Sequence, residues 1–163
     1  MTDPRLRHVL FLCTGNSARS IIAEALMNRL GEGRFRGHSA GSRPVGRVNP
    51  HALALLEARG HDLSGLSSKS WDVFAGPKAP AMDLILTVCD SAAGESCPAW
   101  PGHPATGHWG LPDPAAARQA DAPAAFAATY AALERRIGAL IALPPEALDG
   151  PGLKAELARI GRL

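Results

Sequence analysis

The apolar residues of this chain follow two patterns, short continuous runs and longer segments at helical spacing. The runs predict buried strands at residues 9–13 and 82–89. Residues 35–41 alternate poorly and are predicted as a strand from their position in a βαβ pattern, and a short fourth strand is expected at residues 106–109. The spaced segments predict helices at residues 18–31, 50–60, 71–74, 126–141 and 153–160. Because strands alternate with helices, we expect an α/β fold of three layers, a four-stranded parallel sheet flanked by helices. In such folds ligands lie beyond the carboxyl ends of the strands.

The turn between the first strand and the first helix consists of Thr14, Gly15, Asn16 and Ser17. Gly15 and Asn16 both tolerate positive φ, so the backbone can curl and point its N–H groups at one spot. Together with the N-terminus of the following helix, these N–H groups predict a binding site for an anion.

Cys13 precedes this turn and should lie at the centre of the anion site, where N–H dipoles and a nearby cation favour the thiolate. Arg19, six residues later, can fold back and offer its planar donors to a tetrahedral oxyanion. Ser17 and Ser20 can hydrogen-bond the thiolate. The loop therefore pairs a nucleophile with a site for the group it attacks. A buried structural cysteine beside a turn is the plainer alternative.

The string Cys-x5-Arg-Ser after a strand resembles the phosphate loop of the low-molecular-weight protein tyrosine phosphatase family. The fuller string Cys-Thr-Gly-Asn-Ser-x-Arg-Ser is similar to that of its arsenate reductase branch, although Ala18 stands where many relatives have another cysteine. The resemblance implies one domain over residues 1–163. The oxyanion-binding residues that it implies are Thr14, Gly15, Asn16, Ser17, Ala18, Arg19 and Ser20.

Two further cysteines make this resemblance more specific. Cys89 ends the third predicted strand and Cys97 follows eight residues later, across a loop of small residues that could let the two sulfurs meet. The resemblance extends over Thr87-Val88-Cys89, Cys97-Pro98 and His108-Trp109-Gly110-x-x-Asp113-Pro114. Inert core or loop thiols remain the alternative for both cysteines.

The chemistry that the resemblance implies is a thiol relay. Cys13 attacks arsenate, for which phosphate or sulfate would be analogues, and Cys89 then attacks Cys13 and releases arsenite. Cys97 takes over the disulfide, so that Cys89 and Cys97 form the redox disulfide. Thioredoxin, or glutaredoxin with glutathione, would reduce it, and no tightly bound cofactor is expected.

Asp113 is the candidate general acid, because family members carry an Asp-Pro pair at this place and the flanking prolines stiffen the loop. Asp-Pro is also a common turn dipeptide, so the sequence alone supports a turn and a general acid about equally. The phosphatase branch has aromatic residues directly after this pair to pack a phosphotyrosine ring. Here the residues at 115–117 are alanines, which favours a small inorganic oxyanion.

Composition limits the classes of protein to which this chain can belong. The chain has 163 residues, 46% hydrophobic and 20% charged, as in one soluble globular domain. A net charge of +2 without a block of like charge argues against nucleic acid or a membrane surface as partner. The apolar run before Cys13 is too short for a signal or spanning segment, and three cysteines suit a reducing compartment. We therefore expect a cytoplasmic protein, and a monomer.

The sequence gives little support for a metal-binding site. The histidines and cysteines lack zinc-binding spacing, so no metal is expected there. Some relatives bind potassium beside the phosphate loop, at positions that match Asn16, Glu24 and Ser39. A further carboxylate of those relatives corresponds here to Trp71, which argues against the ion.

Two other functions remain open from the sequence. A low-molecular-weight tyrosine phosphatase would hydrolyse aryl phosphates without Cys89 or Cys97. A non-catalytic oxyanion- or arsenite-binding protein would hold As(III) with three thiols and show no turnover.

Overall fold

The computed structural model describes residues 5–89, 100 and 104–163. Its strands are β1 Arg7–Leu12, β2 Phe35–Ala40, β3 Leu84–Thr87 and β4 Ala105–His108. Its α-helices are α1 Arg19–Leu30, α2 Pro50–Ala58, α3 Ala122–Ile141, α4 Pro145–Leu148 and α5 Leu153–Ile160. Short 3₁₀ helices lie at Trp71–Phe74, Pro114–Ala116 and Gln119–Asp121.

The four strands form one parallel sheet in the order β2-β1-β3-β4, which confirms the predicted sheet. In its register, Leu12 lies opposite Ala40 on one side and Thr87 on the other. The chain leaves β1 and β3 at the same edge, so Cys13 and Cys89 come to neighbouring positions there. This edge carries the candidate site.

Alternate residues of β1 face two different cores. Val9 and Phe11 point into the larger core with α1, α2, α3 and α5, where Trp109 and Phe126 are fully buried. Leu10 and Leu12 point to the other face. There the described residues that cover the sheet belong mainly to the 3₁₀ helix Trp71–Phe74, together with Met82 and Trp100.

The C-terminal part differs from expectation in one element. Pro144 and Pro145 end α3 as predicted, but Pro145 also begins the short helix α4, because proline is tolerated at the first position of a helix. Helix α5 docks firmly: Leu157 is buried and its carbonyl oxygen accepts a hydrogen bond from Trp109 Nε1 at 3.0 Å.

None of the helices found in the described part of the chain combines the length and apolar character needed to cross a membrane.

Candidate active site

The loop between β1 and α1 is shaped from outside by the segment 43–49. Backbone N–H groups of this segment donate to the carbonyl oxygens of Thr14, Gly15 and Ser17 at 3.0, 3.0 and 2.9 Å. In a trans peptide the N–H group points opposite to its C=O group. The N–H groups that follow these three carbonyls therefore point away from segment 43–49, and that of Gly15 donates to Cys13. That these donors converge on an anion stays a prediction.

Asn16 gives the loop its tight curl. It has a φ of 45° and is the sole non-glycine residue with positive φ in the described ranges, whereas Gly15, for which positive φ was also expected, does not adopt it. The buried Asn16 side chain accepts a hydrogen bond from the backbone N–H of Lys69 at 2.8 Å and donates to Ser20 Oγ at 2.8 Å. Ser20 is thus engaged in holding Asn16.

Cys13 and Cys89 meet beside this loop. Both side chains are buried thiols, and a hydrogen bond joins them. The backbone N–H of Thr14 donates to Cys89 Sγ at 3.4 Å. Cys89 therefore lies against the loop itself and in direct reach of the first cysteine.

The contact between the two sulfurs changes the ionisation of Cys13. The hydrogen bond to Cys89, together with burial, raises the pKa of the Cys13 thiol, and these effects outweigh Arg19 and the Gly15 backbone N–H, which act to lower the pKa. The sequence predicted that N–H dipoles and a nearby cation favour the Cys13 thiolate; both act in that direction here, but the contact with Cys89 and burial, which the prediction did not include, outweigh them. Two sulfurs in contact resist double ionisation, so at least one of the two thiols keeps its proton.

Arg19 begins α1 and reaches over the loop toward Asp113. Its Nη1 donates to the carbonyl oxygen of Leu111 at 2.8 Å, and its Nη2 lies 3.9 Å from Asp113 Oδ1. Arg19 Nε is buried and has no hydrogen-bond partner among the described residues. A buried N–H donor without a partner, next to the N–H groups of the loop, is suited to bind an anion.

The position of Asp113 is compatible with both roles that the sequence left open, a turn and a general acid. Its Oδ1 accepts from the backbone N–H of Ala115 at 3.0 Å, so it caps the 3₁₀ helix Pro114–Ala116. The same carboxylate is about half exposed and faces Arg19. The turn therefore holds the carboxylate next to the loop.

The segment that carries Asp113 is tied to the end of β3. Trp109 N donates to the carbonyl oxygen of Thr87 at 2.7 Å, and Leu111 N donates to that of Val88 at 3.2 Å. From behind, Arg136 of α3 donates to the carbonyl oxygen of Trp109 at 3.2 Å. Sequence reasoning did not single out Leu111, Arg136 or Lys69, since they act through backbone groups or long side chains.

Cys97 lies outside the described residues, and so does the predicted pairing of Cys89 with Cys97. Within residues 5–89, 100 and 104–163, no group of three or more His, Cys, Asp and Glu side chains is placed to hold a metal ion.

Several proteins similar to this chain are arsenate reductases. The arsenate reductase of Bacillus subtilis is 36% identical over 110 residues, which cover 68% of this chain and 76% of that protein. The structure described as an arsenate reductase in the phosphate binding state matches with a TM-score of 0.68 and 28% identity, over 83% of this chain and 97% of that one. The thioredoxin-dependent arsenate reductase of Corynebacterium glutamicum matches with a TM-score of 0.64 and 27% identity, over 85% of this chain and 62% of that one.

The family described as low molecular weight phosphotyrosine protein phosphatase matches residues 8–151, which contain the Cys13 loop, Arg19 and Asp113. The four-stranded parallel sheet and the Cys-x5-Arg loop at its carboxyl edge agree with this match. The chain therefore belongs to the low molecular weight phosphotyrosine protein phosphatase family.

Proposed function

We propose that this chain is an arsenate reductase that works by a relay of Cys13, Cys89 and Cys97. The observation that carries the proposal is the contact between the Cys13 and Cys89 thiols beside the anion-binding loop. A hydrolytic phosphatase needs one nucleophilic cysteine. A second thiol in contact with the first suits a reaction that ends in a disulfide.

The substrate would be held by the N–H groups of the loop and by Arg19. Arsenate is a tetrahedral oxyanion, and the planar guanidinium can turn from the Leu111 carbonyl toward it while keeping Asp113 close. Phosphate or sulfate, which share this shape, would compete with it.

In the first step, an arsenate oxygen takes the proton of Cys13, and the Cys13 thiolate attacks arsenic beside the protonated Cys89. An S–As bond forms and an As–O bond breaks, and the departing oxygen takes a proton from Asp113 and leaves as water. Asp113 is suited to this step because its turn fixes the carboxyl beside Arg19.

In the second step, Cys89 gives its proton to an oxygen on arsenic, and the resulting thiolate attacks Cys13 Sγ. An S–S bond forms, the S–As bond breaks and its electron pair stays on arsenic, so arsenite departs. Two thiols are oxidised as As(V) is reduced to As(III). Cys97 then attacks Cys89 and frees Cys13, and an external dithiol reduces the disulfide between Cys89 and Cys97. Thioredoxin is the favoured reductant, since one matching structure is a thioredoxin-dependent enzyme.

The test is arsenate-dependent NADPH oxidation with thioredoxin and thioredoxin reductase, comparing wild type with Cys13→Ser, Cys89→Ser and Cys97→Ser. Each substitution should lower kcat by a factor on the order of 10³ or more, because each removes a nucleophile. A single-turnover assay without reductant distinguishes the three variants. Cys97→Ser should still release one arsenite per molecule and stop at a Cys13–Cys89 disulfide, while Cys89→Ser should release none.

Two results would contradict the relay, and a third would contradict only the assigned reductant. Hydrolysis of an aryl phosphate that is unaffected in Cys89→Ser and Cys97→Ser, without NADPH oxidation, would make the chain a phosphatase. Stoichiometric As(III) binding without turnover would make it a binding protein. Turnover with glutaredoxin and glutathione, and none with thioredoxin, would overturn the assigned reductant.

A further inference from the structure

Glu24, Ser39 and Lys69 form a buried polar cluster behind the anion-binding loop. Ser39 is fully buried and its hydroxyl donates to Glu24 Oε1 at 2.5 Å. The Lys69 ammonium donates to the carbonyl oxygens of Ser39 at 3.0 Å and Ser67 at 2.7 Å, and it lies 3.8 Å from Glu24 Oε1. Three oxygens thus surround one fixed positive charge.

Potassium does not fit beside this ammonium. The positions at which the family resemblance implies the ion, Asn16, Glu24 and Ser39, lie close to Lys69, whose ammonium contacts the oxygens of Glu24 and Ser39. Trp71, expected in place of a carboxylate ligand, packs against Trp100 with ring centroids 6.4 Å apart. A second cation among the same oxygens would meet the like charge of Lys69 at close range.

We infer that the Lys69 side chain supplies the cation of this site and makes the chain independent of potassium. Lys69 is also linked to the loop, because its own backbone N–H donates to Asn16 Oδ1 at 2.8 Å. Asn16 carries the positive φ on which the curl of the loop depends. Lys69 is therefore a positioning residue, which acts on bound oxyanion through Asn16.

The electrostatics of the cluster agree with this role. Burial raises the pKa of the Glu24 carboxyl, and the Ser39 hydroxyl and the Lys69 ammonium act against that rise. Burial lowers the pKa of Lys69, and Glu24 acts against that fall. Each charge is thus stabilised in the interior by the other, so removal of the ammonium leaves a buried carboxylate in need of a cation.

The experiment compares melting temperatures in potassium chloride and in tetramethylammonium chloride at equal ionic strength. The variants are Lys69→Ala, which leaves space for an ion, and Lys69→Asp, which adds a second carboxylate. Lys78→Ala, which removes an exposed lysine, is the matched control. Wild type and the control should melt equally in both salts. Lys69→Ala should melt about 5 °C lower in tetramethylammonium and recover part of this loss in potassium, and Lys69→Asp should recover more.

A kinetic arm uses the same proteins and rests on the proposed function, whereas the melting arm needs no substrate. In tetramethylammonium, Lys69→Ala should lose about 10- to 100-fold in kcat/KM for arsenate, and potassium should restore part of it. A wild type stabilised by potassium, Lys69 variants that melt alike in the two salts, or variants that stay unfolded in both would overturn the inference. Failure of arsenate turnover in wild type would count against the proposed function alone.

Discussion

Two buried sulfurs, those of Cys13 and Cys89, lie in contact where β1 and β3 end. The sequence placed both at carboxyl ends of strands, and the register of Leu12 opposite Thr87 makes these ends neighbours. The sequence did not predict the effect of this contact on the ionisation of Cys13. A thiol that donates to a second buried thiol holds its proton more firmly than one surrounded by N–H groups and a guanidinium alone.

This effect predicts the behaviour of Cys13 when its partner is removed. In Cys89→Ala the acceptor of the thiol hydrogen bond is lost, so the pKa of Cys13 should fall and its thiolate fraction should rise. The experiment measures carbamidomethylation of Cys13 by mass spectrometry of its peptide across a pH series. The pH midpoint of this reaction should move to lower pH by about one unit or more, which corresponds to a tenfold larger thiolate fraction near neutral pH.

The pH midpoint distinguishes ionisation from access, since easier entry of the reagent raises the rate at every pH and leaves the midpoint unchanged. Cys97→Ala serves as a control for the loss of a cysteine, and its Cys13 midpoint should match wild type. An unchanged midpoint in Cys89→Ala would show that burial alone sets the ionisation of Cys13.

Other residues of the site differ in how far the sequence could identify them. The loop string identified Cys13 and Arg19 as a pair, because the chemistry resides in their side chains. Lys69 and Leu111 serve the loop through a backbone N–H and a carbonyl oxygen, which every residue has. Their roles follow only from where long-range folding places the backbone.

At the scale of elements, periodicity predicted the strands and helices that have a clear buried face. β1 and α1 were predicted within one or two residues because apolar runs and helical spacing coincide with burial there. Helix α4 was not predicted, since four residues cannot display a period. The docking of α5 was also left open, because its buried stripe of Leu153, Leu157 and Ile160 gives no indication of its partner.

The fit between β2 and the anion-binding loop predicts a sensitive position at Gly41. A Cβ atom there would overlap the carbonyl oxygen of Thr14 and lie 2.5 Å from that of Cys13. Gly41→Ala should therefore push the loop out of place and lower kcat/KM for arsenate by about 10- to 100-fold. Steady-state kinetics and a melting curve measure the two consequences.

Gly65→Ala is the matched control, because a Cβ atom at Gly65 meets nothing within 4 Å and its φ is not positive. It should leave kcat/KM and the melting temperature near those of wild type. Equal kinetics for Gly41→Ala and Gly65→Ala would mean that the loop tolerates displacement at this contact.

At the scale of the whole molecule, the proposed acid and the proposed nucleophile depend on different supports. The Cys13 loop is held by segments 43–49 and 67–70. The segment 109–113, which carries Asp113, is held from behind by Arg136 of α3 and by α5, through the bond of Trp109 Nε1 to Leu157. Helix α5 therefore helps to position the segment that carries Asp113, the proposed acid.

This division predicts the effect of Leu157→Ala, in which a fully buried side chain next to Gly107 is cut back. The cavity should lower the free energy of unfolding by about 2–4 kcal/mol, measured by urea denaturation with an unchanged m-value. Because α5 supports the segment that carries Asp113, while segments 43–49 and 67–70 hold the oxyanion loop, kcat should fall several-fold while KM for arsenate stays close to wild type. Lys154→Ala, on the exposed face of α5, should change stability by no more than about 0.5 kcal/mol. A rise in KM equal to the fall in kcat would show that α5 supports the whole site as one unit.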